Sequence, residues 1–201
     1  FTPEILPGDV VGYTVINRET GKTEYRPGAA LCNLFLADEI NRTSSKTQSA
    51  LLEAMEEGSI TVDGTTHIIP RPYTVIATQN PIGSTGTQLL PESQMDRFII
   101  KISIGYPSIN DEVRILKQKQ GQNPLDNVGK VADKNDIIEM QKSVENIYIS
   151  DEVYEYIARL AAATRNSPMI KMGASPRASI ALARMSRPNS RSRQRKKRRK
   201  R

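Results

Sequence analysis

Apolar and polar positions along the first hundred residues switch repeatedly between strand and helix spacing. Leu34-Phe35-Leu36-Ala37 is an unbroken apolar run, the pattern of a strand buried on both faces of a parallel sheet. Tyr73-Thr74-Val75-Ile76-Ala77-Thr78 predicts a second such strand, stopped by Gln79-Asn80-Pro81, and residues 99–104 predict a third. Between the first two lies a helical stretch. Ser45 with Gln48 fits a capping box, Leu51, Leu52 and Met55 share an apolar face, and Gly58 ends the helix. Glu53, Glu56 and Glu57 fall on what reads as its solvated face. Two stretches alternate with period two. One, around Tyr13, Val15, Thr23 and Tyr25, predicts a hairpin turning at Glu19-Thr20-Gly21; the other turns tightly at Asp63-Gly64. Thr2-Pro3-Glu4 predicts a short opening helix that Pro7-Gly8 stops.

Beyond Pro107 the spacing becomes helical. Helices are predicted over residues 110–120, 134–144 and 151–165, the last with Val153, Ile157, Leu160 and Ala161 as a core stripe. Residues 121–133 form a Gly/Asn/Pro-containing link, and Ser175-Pro176-Arg177 opens another helix, with a cap followed by Pro at the first helical position. The pattern therefore predicts an α/β chain: a core with a partial parallel sheet and inserted β-hairpins over residues 1–106, then a small all-α unit over 107–186. Residues 187–201 follow as a basic tail.

Charge sharpens that last boundary. Nine of the 29 Lys and Arg lie in residues 189–201, leaving 20 against 22 carboxylates elsewhere, a net of −2. The basicity belongs to the tail, which carries no apolar residue and is expected to be disordered. A hydrophobic fraction of 37% excludes a wholly disordered chain. The single cysteine, Cys32, excludes an internal disulfide and fits a reducing compartment, as a packed inert thiol. No run of 18 apolar residues and no signal-like opening occur, so a soluble cytoplasmic protein is expected.

Candidate chemistry sits at the strand ends. Asp38 and Glu39 follow the first apolar run, at the sheet edge where open α/β folds bind ligands. Paired carboxylates suit a magnesium ion and the activation of a water; a solvated acidic turn is the plainer alternative. Asn80 ends the second strand, either as a turn residue before Pro or as an amide beside those carboxylates. Arg97 precedes the third strand, where pairing with Asp96 or Glu92 is the plain reading. Gly21-Lys22-Thr23 is rejected as a phosphate-binding loop, because Ile16 stands where a glycine is required and no helix follows. His67 is the only histidine and has no nearby Cys partner, so a metal site there is improbable. Asn41-Arg42-Thr43 matches a glycosylation sequon, discounted for a cytoplasmic chain.

In order, NLFLADEINR resembles the Walker B strand of AAA+ ATPases, VIATQNP their sensor 1 strand, LPESQMDRF their arginine-finger segment and GASPRAS their sensor 2. With FTPEILPGDVVG and the two hairpins, the set is similar to the MoxR family over about residues 1–185. That resemblance implies an AAA+ core with an all-helical lid, ATP and Mg2+ as cofactors, and ATP hydrolysis in a ring, expected to be hexameric. It implies that Asp38 helps hold magnesium and that Glu39 activates the attacking water. Asn80 would position that water and sense the terminal phosphate. Arg97 would reach a neighbouring subunit's nucleotide, and Arg177 would contact phosphate from the lid. Family members act as chaperones in the maturation of partner complexes, often beside a protein with a von Willebrand factor A domain.

The family's Walker A loop precedes the segment that begins here at Phe1, so the resemblance predicts an inactive fragment of an ATPase. After Arg184 the family pattern stops and SRPNSRSRQRKKRRKR takes over. That tail reads as an aberrant reading-frame end, or else as a phosphate-contacting nucleic-acid segment in a protein of the related helicase branch. A third reading is a non-enzymatic piece that docks on intact subunits through Arg97 and its strands.

Overall fold

A computed structural model of the chain describes residues 1–80, 89–118 and 124–198. The chain opens with a turn, in which the Ile5 amide donates to the Thr2 carbonyl at 3.2 Å, and then helix α1, Pro7–Val11. The expected helix at residues 2–6 is thus displaced. Pro7 is not its stop but its first residue, where a fixed φ and a missing N–H cost nothing. Asp9 completes the start by accepting from the Leu6 amide at 2.8 Å.

Both hairpins form as the alternation predicts. Strands β1 (Tyr13–Ile16) and β2 (Thr23–Arg26) pair antiparallel, as do β4 (Ser59–Val62) and β5 (Thr65–Ile68) around Asp63-Gly64. Asp63 and Gly64 both have positive φ, 47° and 78°, as a two-residue turn of this kind requires. The hairpins touch each other. The Tyr25 and His67 rings stack at 3.6 Å, and the Thr14 hydroxyl donates to Asp63.

Strands β3 (Leu34–Ala37) and β6 (Thr74–Ala77) pair in parallel, with Ala37 opposite Ala77. Helix α2, Ser45–Glu57, lies in the crossover and carries Leu51, Leu52 and Ala54 into the core with Val10, Ile40 and Ile60. Its cap is one residue earlier than expected. Ser44 accepts from the Thr47 amide at 3.2 Å, and Gln48 turns inward instead of closing a capping box. Gly58 ends the helix in the left-handed region, as expected.

Burial on both faces of β3 is not observed. Phe35 and Ala37 face the core, while Leu34 and Leu36 are 63% and 62% exposed. Only one layer covers this pair among the described residues. The third predicted strand is absent as well. Residues 99–104 have no strand neighbour among the described residues, and Ile102 and Ile104 are exposed. An extended segment is a strand only when a neighbour satisfies its backbone donors and acceptors. The short helix α3, Glu92–Met95, leads into it.

Helices α4 (Ile109–Gln118), α5 (Lys134–Glu145), α6 (Asp151–Asn166) and α7 (Pro176–Arg198) follow. Ile157 and Ala161 of α6 are buried; Val153 and Leu160 of the expected stripe stay over 40% exposed. The Arg165 guanidinium donates through Nε to the Ala174 carbonyl at 2.7 Å, fixing the turn before α7. The backbone of α7 runs helical to Arg198, into the stretch from residue 187 that was expected to be disordered. Arg, Lys and Gln are good helix formers, and they extend a helix already begun at Pro176 in spite of Pro188 inside it. Residues 82–88, read as a flexible loop, lie outside the described residues. Among the described residues no helix is long and apolar enough to cross a membrane.

Candidate functional site

The parallel register brings the site together. Because Ala37 pairs with Ala77, the next residue on each strand, Asp38 and Thr78, emerges at the same carboxyl edge of the sheet. The Thr78 hydroxyl donates to Asp38 Oδ1 at 2.6 Å and accepts from the Glu39 amide at 2.8 Å. The Ile40 amide donates to the Thr78 carbonyl at 3.1 Å. Glu39 is held in the left-handed region, φ 51° and ψ 47°, which turns the chain at once into a single 3-10 turn, Ile40–Arg42.

Two more groups meet Glu39, one from that turn and one from beyond β6. Arg42 Nη1 donates to Glu39 Oε2 at 2.8 Å, and Asn80 Nδ2 donates to Glu39 Oε1 at 3.4 Å. These two hydrogen bonds, that from Arg42 foremost, hold the Glu39 carboxyl below its ordinary range and keep it ionised. The Arg42 guanidinium is raised in turn by the same partner. Asn41, 2% exposed, clasps Asn80 by its backbone: its Nδ2 donates to the Asn80 carbonyl at 3.0 Å and its Oδ1 accepts from the Asn80 amide at 3.2 Å. Gln48 closes the far side, donating from Nε2 to the carbonyls of Ile40 and Thr43 at 3.2 and 3.1 Å.

Asp38, Glu39 and Asn80 therefore share one site, whereas Arg97 and Arg177 lie at another. Arg97 Nη1 sits 3.4 Å from Glu56 Oε2 of α2, and Arg177 Nη2 donates to the other oxygen of the same carboxylate. Arg97 does not pair with Asp96 or Glu92, the partners expected from adjacency; Asp96 instead accepts from Ser175 Oγ at 2.8 Å. No described contact joins the two groups. Sequence reasoning missed Thr78, Asn41, Arg42 and Glu56. Thr78 was legible as the residue opposite Asp38 in a parallel pair; the other three carry no local signal for their roles.

The carboxylate pair matches one way of holding magnesium, in which one or two carboxylates join waters and phosphate oxygens. It does not match an all-protein cage: among the described residues no three His, Cys, Asp or Glu cluster as metal ligands. The phosphate side needs backbone amides and a lysine of the GxxxxGK[ST] kind, a segment that does not occur in residues 1–201.

Comparison with known proteins decides the lineage. Residues 1–100 match the model of the ATPase family associated with various cellular activities (AAA). YeaC of Bacillus subtilis is 50% identical over 182 residues, covering 90% of this chain and 57% of that protein. Chaperone MoxR1 of Mycobacterium tuberculosis is 36% identical over 191 residues, covering 90% of this chain and 50% of that one. This chain belongs to the MoxR family of AAA ATPases.

The MoxR-family match extends to architecture. A crystal structure of a protein from Cytophaga hutchinsonii superposes with a TM-score of 0.78 at 38% identity, over 92% of this chain and 58% of that one. The AAA-type fold follows from family and structure together. The chain spans about half the length of the curated relatives it matches.

Proposed function

We propose that this chain carries the hydrolytic half of a MoxR-type ATP site, and that the protein containing it hydrolyses ATP to remodel partner complexes. The observation that carries the reading is the network of Asp38, Glu39, Thr78 and Asn80 at the carboxyl ends of two parallel strands. Asp38, exposed and oriented by the Thr78 hydroxyl, is the group that would hold magnesium. The ion, when bound with ATP, neutralises charge on the phosphates. Glu39 is the proton acceptor for the attacking water. Its two hydrogen bonds keep it ionised, so it accepts a proton at neutral pH without first losing one. The Arg42 bond that ensures this also makes it a weaker base, so the charge of Arg42 sets a balance between availability and strength. Asn80 presents an amide donor beside the same carboxylate, suited to fixing a water, and Asn41 fixes Asn80.

Arg97 and Arg177 stand apart from this network, in keeping with roles toward phosphates delivered from elsewhere, a neighbouring subunit's among them. A homo-oligomeric ring, ATP with Mg2+, and a chaperone role like that in the name of MoxR1 complete the proposal. Glu39→Gln in the intact protein that carries this sequence tests it. ATP turnover should fall by two orders of magnitude or more, about 3 kcal/mol in barrier height, while ATP binding persists. Undiminished turnover in that variant would remove Glu39 from the chemistry.

A further inference from the structure

Glu56 belongs by its sequence pattern to a solvated helix face, yet its carboxylate is where two arginines from distant parts of the chain meet. It lies in the last turn of α2. Arg97 follows α3, and Arg177 stands in the first turn of α7. Each guanidinium takes a different oxygen of the one carboxylate. For Arg97 it is the one ion-pair partner among the described residues, and Arg97 Nε is buried with no hydrogen-bond partner. The Ser175–Asp96 hydrogen bond, 2.8 Å long, runs alongside and ties the same two segments together.

Two guanidiniums share one carboxylate, with Glu53 and Glu57 lining the same hollow as Arg97. The three side chains are 29% to 48% exposed, so these ion pairs are half in water and weak enough to exchange. We propose that Glu56 is the resting counter-ion of both arginines, holding Arg97 and Arg177 together on α2 and competing with phosphate for them. This rests on the reading of the two arginines as phosphate contacts. Glu56 is then a positioning residue. It keeps the start of α7 docked on α2, and an incoming polyphosphate must displace it before either arginine is free.

Calorimetric titration of the full chain with inorganic tripolyphosphate tests the idea. All variants keep residues 189–201, so binding to those cations is common to every titration. Glu56→Gln should tighten tripolyphosphate binding by roughly fivefold, the scale of one half-exposed ion pair lost from the competing state. Arg97→Ala and Arg177→Ala should weaken it, and each should cancel the gain when combined with Glu56→Gln. Glu56→Asp, which keeps the charge, should return the affinity toward the parent value. A damaged fold does not tighten binding, so the gain separates competition from a structural role. Weakened arginine variants beside an unchanged or weaker Glu56→Gln overturn the competition while leaving the arginine reading intact. Arginine variants that bind like the parent overturn both.

Discussion

Asn41 offers the sharpest test of how the site is built. Its side chain makes two hydrogen bonds to the Asn80 backbone, at 3.0 and 3.2 Å, from a position 2% exposed. Asn41→Leu keeps the branched outline and heavy-atom count, so no cavity forms; its two methyls are bulkier than the amide they replace, and overpacking adds to the loss from the bonds. Each bond is worth about 0.5–1.5 kcal/mol net, so the two place the loss at about 1–3 kcal/mol, a large share of the roughly 5–15 kcal/mol that holds a domain folded. Urea unfolding followed by far-UV circular dichroism measures it. The midpoint should drop with an unchanged slope, because the surface exposed on unfolding is the same. In the intact protein the same change should lower turnover more than ATP affinity, since Asn80 would lose its fixed position. A destabilisation below about 0.5 kcal/mol would refute the reasoning, because it would mean the clasp is replaced by water or by other partners at no cost.

Two further outcomes follow from the geometry. The folded-state Glu39 midpoint should lie below the ordinary glutamate value of 4.5, so the stabilisation from Arg42 and Asn80 is present above that value and is lost as pH falls through the folded midpoint; a carbon-13 NMR titration should show Arg42→Ala moving the midpoint upward, and no movement would remove Arg42 as its main cause. Gly28→Ala should cost about 3 kcal/mol or prevent folding, because its Cβ would lie 2.3 Å from the Gly12 nitrogen and 2.4 Å from the Val10 carbonyl oxygen, both backbone atoms that cannot step aside; a melting temperature within a few degrees of the parent would contradict the tight packing there.

Local chemistry was legible in the sequence wherever it was short-range. Asp63-Gly64 declared its hairpin, Gly58 its helix end, and the run 34–37 its strand, because turn residues and period-two or unbroken apolar patterns act within a few positions. What depended on a neighbour was not legible. The apolar pattern at residues 99–104 describes a surface fit for a sheet, but pairing is a property of two segments, and no described segment meets it. Leu34 and Leu36 looked buried for the same reason: composition records a strand's tolerance for burial, not the presence of a second covering layer. In the site, Asp38, Glu39 and Asn80 were legible as strand-end residues. Asn41 was read as a sequon and Glu56 as a solvated acid, because a side chain's partner 39 or 121 positions away leaves no local trace.

The left-handed backbone of Glu39 has a consequence for how the site can vary. That conformation costs an ordinary residue roughly 1 kcal/mol or more and costs glycine nothing, while a β-branched side chain scarcely fits it. Foldability alone would favour glycine at this position, and among bulkier residues asparagine or aspartate. The chain instead places there a carboxylate on a longer arm, against the preference of its own backbone. Mutational drift at position 39 therefore has an easy direction, toward a better-behaved fold and the loss of the carboxylate proposed as proton acceptor. Screens that select only for thermal stability or soluble yield would move along it unnoticed.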